Sequence, residues 1–534
     1  MSCNWFTRSG LGDARFMLVL VAFTLCLASV SLAQTGNIGE VLKANNGTTF
    51  YNLMVSAKLG DILNSTTKTY TVFAPNDAAL KGFSSKTKGL ADILLYHIVE
   101  GQTIMSGSLT QGLTIPSLRN LTGTTPDGKA STSSQRLAVK LVNQSIFLEE
   151  DDTAAAMFTT TPDLSQVVAA DKVASNGVVH MMSKLLKAPS KTVFDAFGMK
   201  ENAQNFSKII AVSKNAKLDV QFTKNITSIF APTDAAFAAL HPAWSGYLQV
   251  HAGAAAAKYV LGNHYTQNIV YIGETAAGSQ TITMANERTA TLTVAKDATS
   301  VKATLTADGI TANVIADDVL ALNGVVQPID QVILPGNLTL DMVQLVQGYN
   351  ATVFVGRLNN THLLPNATWN PFPTIFAPSN DAFAKVDYTW DHASQAERTD
   401  YLSCHLTATN LPELVNGTSF LAYNGKVVLI SQVNNSHGVI ETYLKVNGSS
   451  VSAKVLSVSP TRLTATPGQV YYVDRVLNVP VTGPPLTKQQ IGWIVVGGIG
   501  FLVLVISGSF IGVQLYRKRK GRSGYTTINE DTLA

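Results

Sequence analysis

The chain has 534 residues, a formal net charge of +4, 46% hydrophobic residues, 14% charged residues and three cysteines. At roughly 100–200 residues per domain, this length predicts three or four domains. The charged fraction lies well below the roughly 25% usual for soluble globular proteins, which excludes a solvated coiled coil and a charge-driven disordered chain.

The first 33 residues have the pattern of a secretory signal peptide. Arg8 and Arg15 make the start basic, and residues 16–27 form an uninterrupted apolar run. Small residues then lead up to Ala33, as at a signal-peptidase site. We therefore expect a leader over residues 1–33 that is cleaved after Ala33, and a mature N-terminus outside the cytosol.

The long middle of the chain carries one signature three times. Each copy begins with a β-branched and aromatic run that ends in Ala-Pro, which predicts a strand terminated by proline. The next residue has a side-chain oxygen suited to a helix N-cap, and an alanine-rich helix start follows it. The copies are Thr71–Leu80, Ser228–Phe237 and Thr374–Phe383, and their N-cap residues are Asn76, Thr233 and Ser379.

A second signature closes each copy. It starts at Asn176-Gly177 in the first copy and at Asn323-Gly324 in the second, whereas the third copy has no Asn-Gly at Gly468. Asn-Gly predicts a two-residue hairpin turn, and the apolar residues after it predict a strand. Between the two signatures lies a helical stretch whose last residues are Tyr96-His97, Asn263-His264 and Cys404-His405.

These residues resemble the fasciclin (FAS1) domain family in its Phe-Ala-Pro box, its Tyr-His element and its closing Asn-Gly-Val-Val-His strand. The resemblance covers nearly all of residues 34–480. It implies an α+β fold of three tandem domains, each a β-sandwich-like wedge with flanking helices, and a role in cell adhesion or matrix attachment. We place the repeats at 34–188, 189–335 and 336–479.

Two readings of the Tyr-His element remain open. The first copy alone keeps both residues, so the resemblance places a candidate adhesion motif at Tyr96 and His97. Their apolar surroundings favour a second reading, in which both are core residues with their polar tips hydrogen-bonded.

The sequence offers no constellation for catalysis or metal binding. His180 has no spaced partner ligand. The glycine-rich segment that ends at Lys129 has Ala130 where a phosphate-binding loop requires Ser or Thr. We therefore predict a protein that is not an enzyme and needs no cofactor.

The C-terminal part has the pattern of a membrane anchor. A Pro-rich stalk at 480–490 precedes residues 491–516, which carry no charge and are long enough for a transmembrane helix. Five basic residues follow at the start of 517–534, which places this tail in the cytosol and predicts a single-pass type I protein. Without the leader and the tail, the net charge of residues 34–516 is zero, so nucleic-acid binding is not expected.

The span and the tail contain two short motifs. Gly508 and Gly512 form a GxxxG pattern that would allow a weak homodimer within the membrane. Tyr525 and Ile528 match a tyrosine-based sorting signal, which motivates an alternative function as an endosomal or vacuolar sorting or uptake receptor.

The predicted ectodomain is rich in glycosylation signals and poor in cysteine. After the leader only Cys404 remains, and we expect it to be a buried small hydrophobic residue. Thirteen N-x-[ST] sequons lie between leader and span, which predicts a glycoprotein. The candidate sites are Asn46, Asn64, Asn120, Asn143, Asn205, Asn225, Asn337, Asn350, Asn359, Asn366, Asn416, Asn434 and Asn447.

Together these patterns predict a membrane glycoprotein, most simply at the cell surface, with endosomal or vacuolar membranes as the alternative location. Its predicted partners are a matrix, cell-wall or cell-surface protein or glycan.

Overall fold

The computed structural model describes residues 36–125, 128–148, 164–198, 205–297, 300–363, 374–458 and 468–479. The predicted leader, stalk, membrane span and tail lie outside these ranges. Within them, no helix combines the length and the apolarity that a membrane crossing requires. The chain divides into two compact units, one holding the first two repeats and reaching Thr352, the other beginning at Val353.

The first repeat wraps a seven-stranded path around its core. Its helices are Ile38–Ala44 (α1), Thr48–Ser56 (α2), Gly60–Leu63 (α3) and Leu90–Leu95 (α4). Its strands are Tyr70–Pro75 (β1), Ile98–Glu100 (β2), Thr114–Asn120 (β3), Ser134–Val142 (β4), Ser145–Leu148 (β5), Ser165–Ala174 (β6) and Gly177–Met182 (β7). The strand order is β2-β1-β7-β6-β5-β4-β3, with β1 parallel to β7. The two ends of the path, β2 and β3, lie side by side.

The second repeat follows the same plan with more helices. Its unit contains Val193–Phe197 (α5), Ser207–Asn215 (α6), Asp219–Lys224 (α7), Asp234–Ala239 (α8), Pro242–Tyr247 (α9), Ala254–Gly262 (α10) and Met342–Gly348 (α11). Its strands are Thr227–Pro232 (β8), Tyr265–Thr266 (β9), Gly278–Thr283 (β10), Thr289–Lys296 (β11), Val301–Ala307 (β12), Ile310–Val314 (β13), Val319–Ala321 (β14) and Gly324–Ile329 (β15). Here β8 is parallel to β15.

The third repeat has the first repeat's strand order. Its helices are Thr352–Asn360 (α12), Asn380–Ala384 (α13), Asp387–His392 (α14) and Gln395–Ser403 (α15). Its strands are Thr374–Pro378 (β16), Leu406–Thr407 (β17), Ser419–Leu421 (β18), Val427–Asn434 (β19), Ile440–Val446 (β20), Ser452–Val458 (β21) and Gln469–Val473 (β22). The order β17-β16-β22-β21-β20-β19-β18 again places a parallel pair, β16 and β22, next to the end of the path. Three tandem repeats of mixed helix and sheet are therefore confirmed.

The parallel pair lies at the centre of each core. All residues of β1 and β7 are buried, because hydrophobic clusters cover both faces of these strands. One cluster brings helix residues such as Phe50 and Leu94 against Val72. The other joins Phe73 to Leu137 on the antiparallel strands. A strand buried on both faces is apolar throughout, so the box has no alternating pattern.

The structure confirms the strand and cap predictions for the Phe-Ala-Pro box. The strands β1, β8 and β16 each end at the box proline. Asn76, Thr233 and Ser379 then accept a hydrogen bond from the backbone amide three residues later, at 2.8, 3.1 and 3.1 Å. In the first copy, turns at residues 77–82 replace the predicted helix.

The residue after each cap has a second role that the sequence did not reveal. Its side chain accepts the amide of a residue in the first turn of α2, α6 or α12, at 2.6, 2.7 and 2.9 Å. The three pairs are Asp77 with Thr49, Asp234 with Lys208 and Asn380 with Val353. One dipeptide thus caps its own turn and holds a distant helix.

The closing hairpin differs from the prediction by one residue. In the first repeat Ala174 pairs with Gly177, so the turn is Ser175-Asn176 and not Asn-Gly. The Asn176 side chain accepts the amide of Ile38 at 2.8 Å and donates to carbonyls at the end of α3. Asn323 makes the same contacts in the second repeat. In the first two repeats the asparagine therefore joins the start of the repeat to its closing strand.

The glycine of this signature is required by close backbone approach. Gly177 has a φ of 148°, and a Cβ atom on it would lie 1.8 Å from the carbonyl oxygen of Tyr70. Gly324 has a φ of 157° and meets the Thr227 carbonyl oxygen in the same way. Only glycine lets the parallel strands pair at this point.

Candidate functional site

Each repeat has a completely buried histidine at the end of the helical stretch, and its side chain is hydrogen-bonded to the segment that follows the closing strand. The residues are His97, His264 and His405. Each Nδ1 donates to a backbone carbonyl, that of Ile93, Val260 and Phe376, at 2.9, 2.8 and 2.7 Å. Each Nε2 accepts the amide of a residue beyond the closing strand, Leu186, Ile333 and Leu477, at 2.9, 2.9 and 2.8 Å. We call each histidine with its two partners a histidine clamp.

The clamps hold neutral imidazoles. Burial lowers the pKa of His97 and His264 to about 4 and that of His405 to about 3. A neutral imidazole has one donor and one acceptor, and the clamp uses both. These nitrogens are thus not available to a metal or a substrate. Across the described residues, no group of His, Cys, Asp and Glu could hold a metal ion.

The candidate adhesion motif lies inside the first repeat. Tyr96 is 1% exposed, and its hydroxyl donates to the carbonyl of Arg136 at 2.8 Å. Its counterparts Asn263 and Cys404 are buried as well. Both polar tips of Tyr96-His97 are hydrogen-bonded, as the core reading expects. An adhesive role for the pair stays a prediction, and it would have to act through the surface that these side chains support.

His180 lies near a serine and an aspartate without forming a catalytic arrangement. Its ring stacks on Phe73, its Nε2 donates to the carbonyl of Ile104 at 2.8 Å, and its Nδ1 accepts the amide of Asp171. The Ser106 hydroxyl donates to the Asp171 carboxylate and not to the imidazole. A serine nucleophile needs a histidine nitrogen to take its proton, and here both nitrogens are bonded to the backbone.

Cys404 is buried and unpaired, as predicted. Burial raises the pKa of its thiol to about 11, and the side-chain amide of Asn424 lies 3.2 Å from the sulfur. A thiol with a raised pKa is a poor nucleophile.

The sequons fall mainly on the surface. Of the candidate asparagines within the described ranges, all are exposed except Asn225, which is half-buried and accepts the Thr124 hydroxyl at 2.9 Å. Asn46, Asn205 and Asn350 occupy the same place in the three repeats, just before α2, α6 and α12, with φ values of 57°, 41° and 62°. Candidates outside the described residues are Asn366, Gly508, Gly512, Tyr525 and Ile528.

The first two repeats meet at the outer face of the first sheet. The Arg136 guanidinium lies over the Tyr271 ring, 4.7 Å from its centroid, and pairs with the Glu274 carboxylate. The backbones of Gly273 and Gly112 approach each other closely here. A Cβ atom added to Gly273 would lie only 2.1 Å from the carbonyl oxygen of Gly112. We call this contact the inter-repeat junction. No sequence pattern predicts this junction.

Comparison with known proteins identifies the family to which these repeats belong. The model of the Fasciclin domain matches residues 45–189, 204–335 and 349–480. Human periostin is 22% identical over 368 residues, which is 67% of this chain and 39% of periostin. A solved FAS1 domain pair from the insect cell adhesion molecule fasciclin I is 18% identical, with a TM-score of 0.27 over 55% of this chain and 98% of that one.

Proposed function

Because the chain belongs to the fasciclin domain family, we propose that it is a non-enzymatic adhesion protein that presents three FAS1 domains to a matrix, a wall or another cell. The family match supports the class of function.

One observation carries the proposal: the same buried framework occurs three times. Each histidine clamp uses both imidazole nitrogens for backbone hydrogen bonds. His180, which lies beside Ser106 and Asp171, likewise has both ring nitrogens bonded to the backbone. These buried histidines therefore stabilise the fold, and we expect binding to occur on the surfaces of the repeats.

Anchoring on a cell would make weak contacts sufficient. The uncharged run at 491–516 and the basic residues after it support a type I orientation at the cell surface. Three domains on one chain, and many chains on one membrane, raise the effective concentration of each contact. The sorting function based on Tyr525 and Ile528 stays a second prediction from sequence.

The test uses the full chain displayed on cultured cells. Cells that carry it should aggregate or bind immobilised matrix or wall fragments more than cells without it. Tyr525→Ala is the matched control, because it leaves the three repeats intact. If the full chain reaches the surface and neither aggregation nor retention occurs, adhesion is rejected. If Tyr525→Ala moves the protein from internal membranes to the surface, the sorting function gains its support.

A further inference from the structure

Three neighbouring aliphatic side chains of the third repeat point into solvent. Leu421 on β18 pairs directly with Val427 on β19, and Leu429 follows two residues along the same strand face. They are 58%, 38% and 41% exposed, whereas the alternate residues Val428 and Ile430 lie in the core. We call these three residues the third-repeat apolar face.

The fold itself does not require aliphatic residues there. The hairpins Ala422–Lys426 and Met284–Arg288 close with the same hydrogen bond, which aligns the third repeat with the second. The residues of the second repeat at the three positions are exposed threonines: Thr283, Thr289 and Thr291. A sheet of this family therefore forms with polar residues on this face.

The charged groups beside the apolar face are largely neutralised by one another. The Lys454 ammonium lies 2.7 Å from the Glu441 carboxylate, which also accepts the Tyr443 hydroxyl at 2.7 Å. Lys445 is exposed opposite Leu429, where its long stem adds apolar area while its ammonium stays in water. Covering the face would therefore leave no unpaired charge in an apolar contact.

In the first repeat, the position equivalent to Val427 lies in the contact between the first and second repeats. The amide of Gly112 donates to Val139 and that of Gly417 to Ile430, which aligns β3-β4 with β18-β19. This alignment matches Arg136 with Val427. Arg136 is the residue that meets Tyr271 in the inter-repeat junction.

Tyr271, which forms the other side of the inter-repeat junction, has an exposed equivalent in the first repeat, Met105. The amides of Val270 and Ile104 donate to equivalent hydroxyls on the central strands, at 2.8 and 2.9 Å. The next residues are Tyr271 and Met105. Tyr271 is 5% exposed beneath Arg136, whereas Met105 is 39% exposed.

We propose that two copies of this chain associate head to tail, with the third-repeat apolar face of one copy receiving the Met105 loop of the other. The contact would copy the inter-repeat junction, with apolar residues on both sides in place of the Arg136–Tyr271 pair. The two surfaces differ, so the contact is heterologous and extends into open chains of molecules. The inference rests on the proposed adhesive function and names one partner for it.

The first test is cross-linking between copies. The parent chain loses Cys3 and Cys26 with the predicted leader, retains buried Cys404, and carries Asn416→Gln to remove a sequon beside the apolar face. Gln111 makes the bond of Asn416 in the first repeat, so this change preserves the contact with the strand. One chain carries Met105→Cys and a differently tagged chain carries Val427→Cys.

A short bismaleimide should link the two tagged chains when they are mixed and should give little product with either chain alone. Arg136→Cys with Tyr271→Cys in one chain is the positive control for the geometry. Products from Val427→Cys chains alone would show face-to-face packing and overturn the head-to-tail contact. Absence of any product, with a working positive control, would overturn it as well.

The second test replaces Leu421, Val427 and Leu429 together with threonine, as in the second repeat. Sedimentation of the full chain in detergent should show at least a tenfold loss of self-association, whereas Val168→Thr, which is equally exposed in the first repeat, should show none. Unchanged association of the triple variant rejects the inference. If cells carrying the chain adhere but no cross-linked product forms, the head-to-tail contact is rejected and the proposed adhesive function stands. If cross-linked product forms but the cells do not adhere, the contact stands and the adhesive function is rejected.

Discussion

The Nε2 atom of His97 accepts the backbone amide of Leu186 at 2.9 Å, across 89 positions of sequence. The donor lies just beyond the closing strand and the acceptor lies just before β2. The bond therefore fastens the end of the first repeat to its centre. Equivalent bonds in the other repeats show that this is a property of the fold and not of one copy.

Replacing His97 by alanine should loosen the end of the first repeat. The Leu186 amide would be left unpaired in the core, and such a loss costs about 1–3 kcal/mol before the cavity is counted. Hydrogen exchange of the full chain should show faster exchange around Leu186 in the His97→Ala variant. The exposed residue His251 provides the control, and equal exchange in both variants would refute a clamping role.

Acidification should destabilise the repeats between pH 6.5 and about 4. The folded pKa of His97 and His264 is about 4, below the unfolded value near 6.5, so the unfolded chain binds more protons in this window. The stabilisation is therefore complete above pH 6.5 and is lost as the pH falls towards 4, by about 3 kcal/mol per histidine. Thermal unfolding across this range should show the loss, and a flat profile would contradict it.

The second repeat should lose less folding stability than the first when the pH falls. Burial raises the pKa of its Asp318 to about 6, so protonation of this carboxyl favours the folded state as the pH falls from 6 towards 3.8. This gain opposes the loss at His264. The Asp318→Asn variant should remove the opposition and make the second repeat more acid-sensitive than it is in the parent chain, which hydrogen exchange of each repeat would resolve.

Gly177→Ala should destabilise the first repeat strongly. The added Cβ would overlap the Tyr70 carbonyl oxygen, which belongs to backbone that cannot move without breaking the β1–β7 pairing. We expect a loss of more than about 2 kcal/mol, within the range for overpacking combined with strain at a special backbone angle. Gly60→Ala is the matched control, since no atom lies within 4 Å of its Cβ position. Similar unfolding of both variants would disprove the argument.

Arg136 and Glu274 should be energetically coupled across the inter-repeat junction. A half-buried ion pair that also lies over an aromatic ring is worth about 1 kcal/mol. A double-mutant cycle with alanine at both positions should measure this coupling in the denaturant unfolding of the full chain. The pair of Lys68 and Glu100, which is more exposed, should give a smaller value; the reverse order would contradict the junction.

The sequence predicts those structural features that depend only on residues close together in the chain. The caps at Asn76, Thr233 and Ser379 and the strand ends at the box prolines follow from local chemistry, and the structure confirms them. The Asn-Gly pattern places the closing turn one residue too late, because the Asn176 side chain serves to bond the distant helix α1. That use is invisible in a local pattern.

The sequence cannot predict contacts that only the folded chain brings together. The residues 96 and 97 stand out in the sequence as a motif, yet their partners, Arg136 and Leu186, lie far along the chain. The same holds for the Tyr271 contact with Arg136. The face shared by the aliphatic residues 421, 427 and 429 depends on the pairing of β18 with β19, which no local pattern specifies.

The parallel pairing of β1 and β7 also sets an order of events during synthesis. Tyr70 pairs with Gly177, so the central strand of the first repeat waits for its neighbour until the closing hairpin has left the ribosome. Until then its polar edge lacks its final partner and is open to wrong pairing. Each repeat must therefore emerge almost whole before it can fold, and a translational pause after a closing hairpin would protect the repeat that follows.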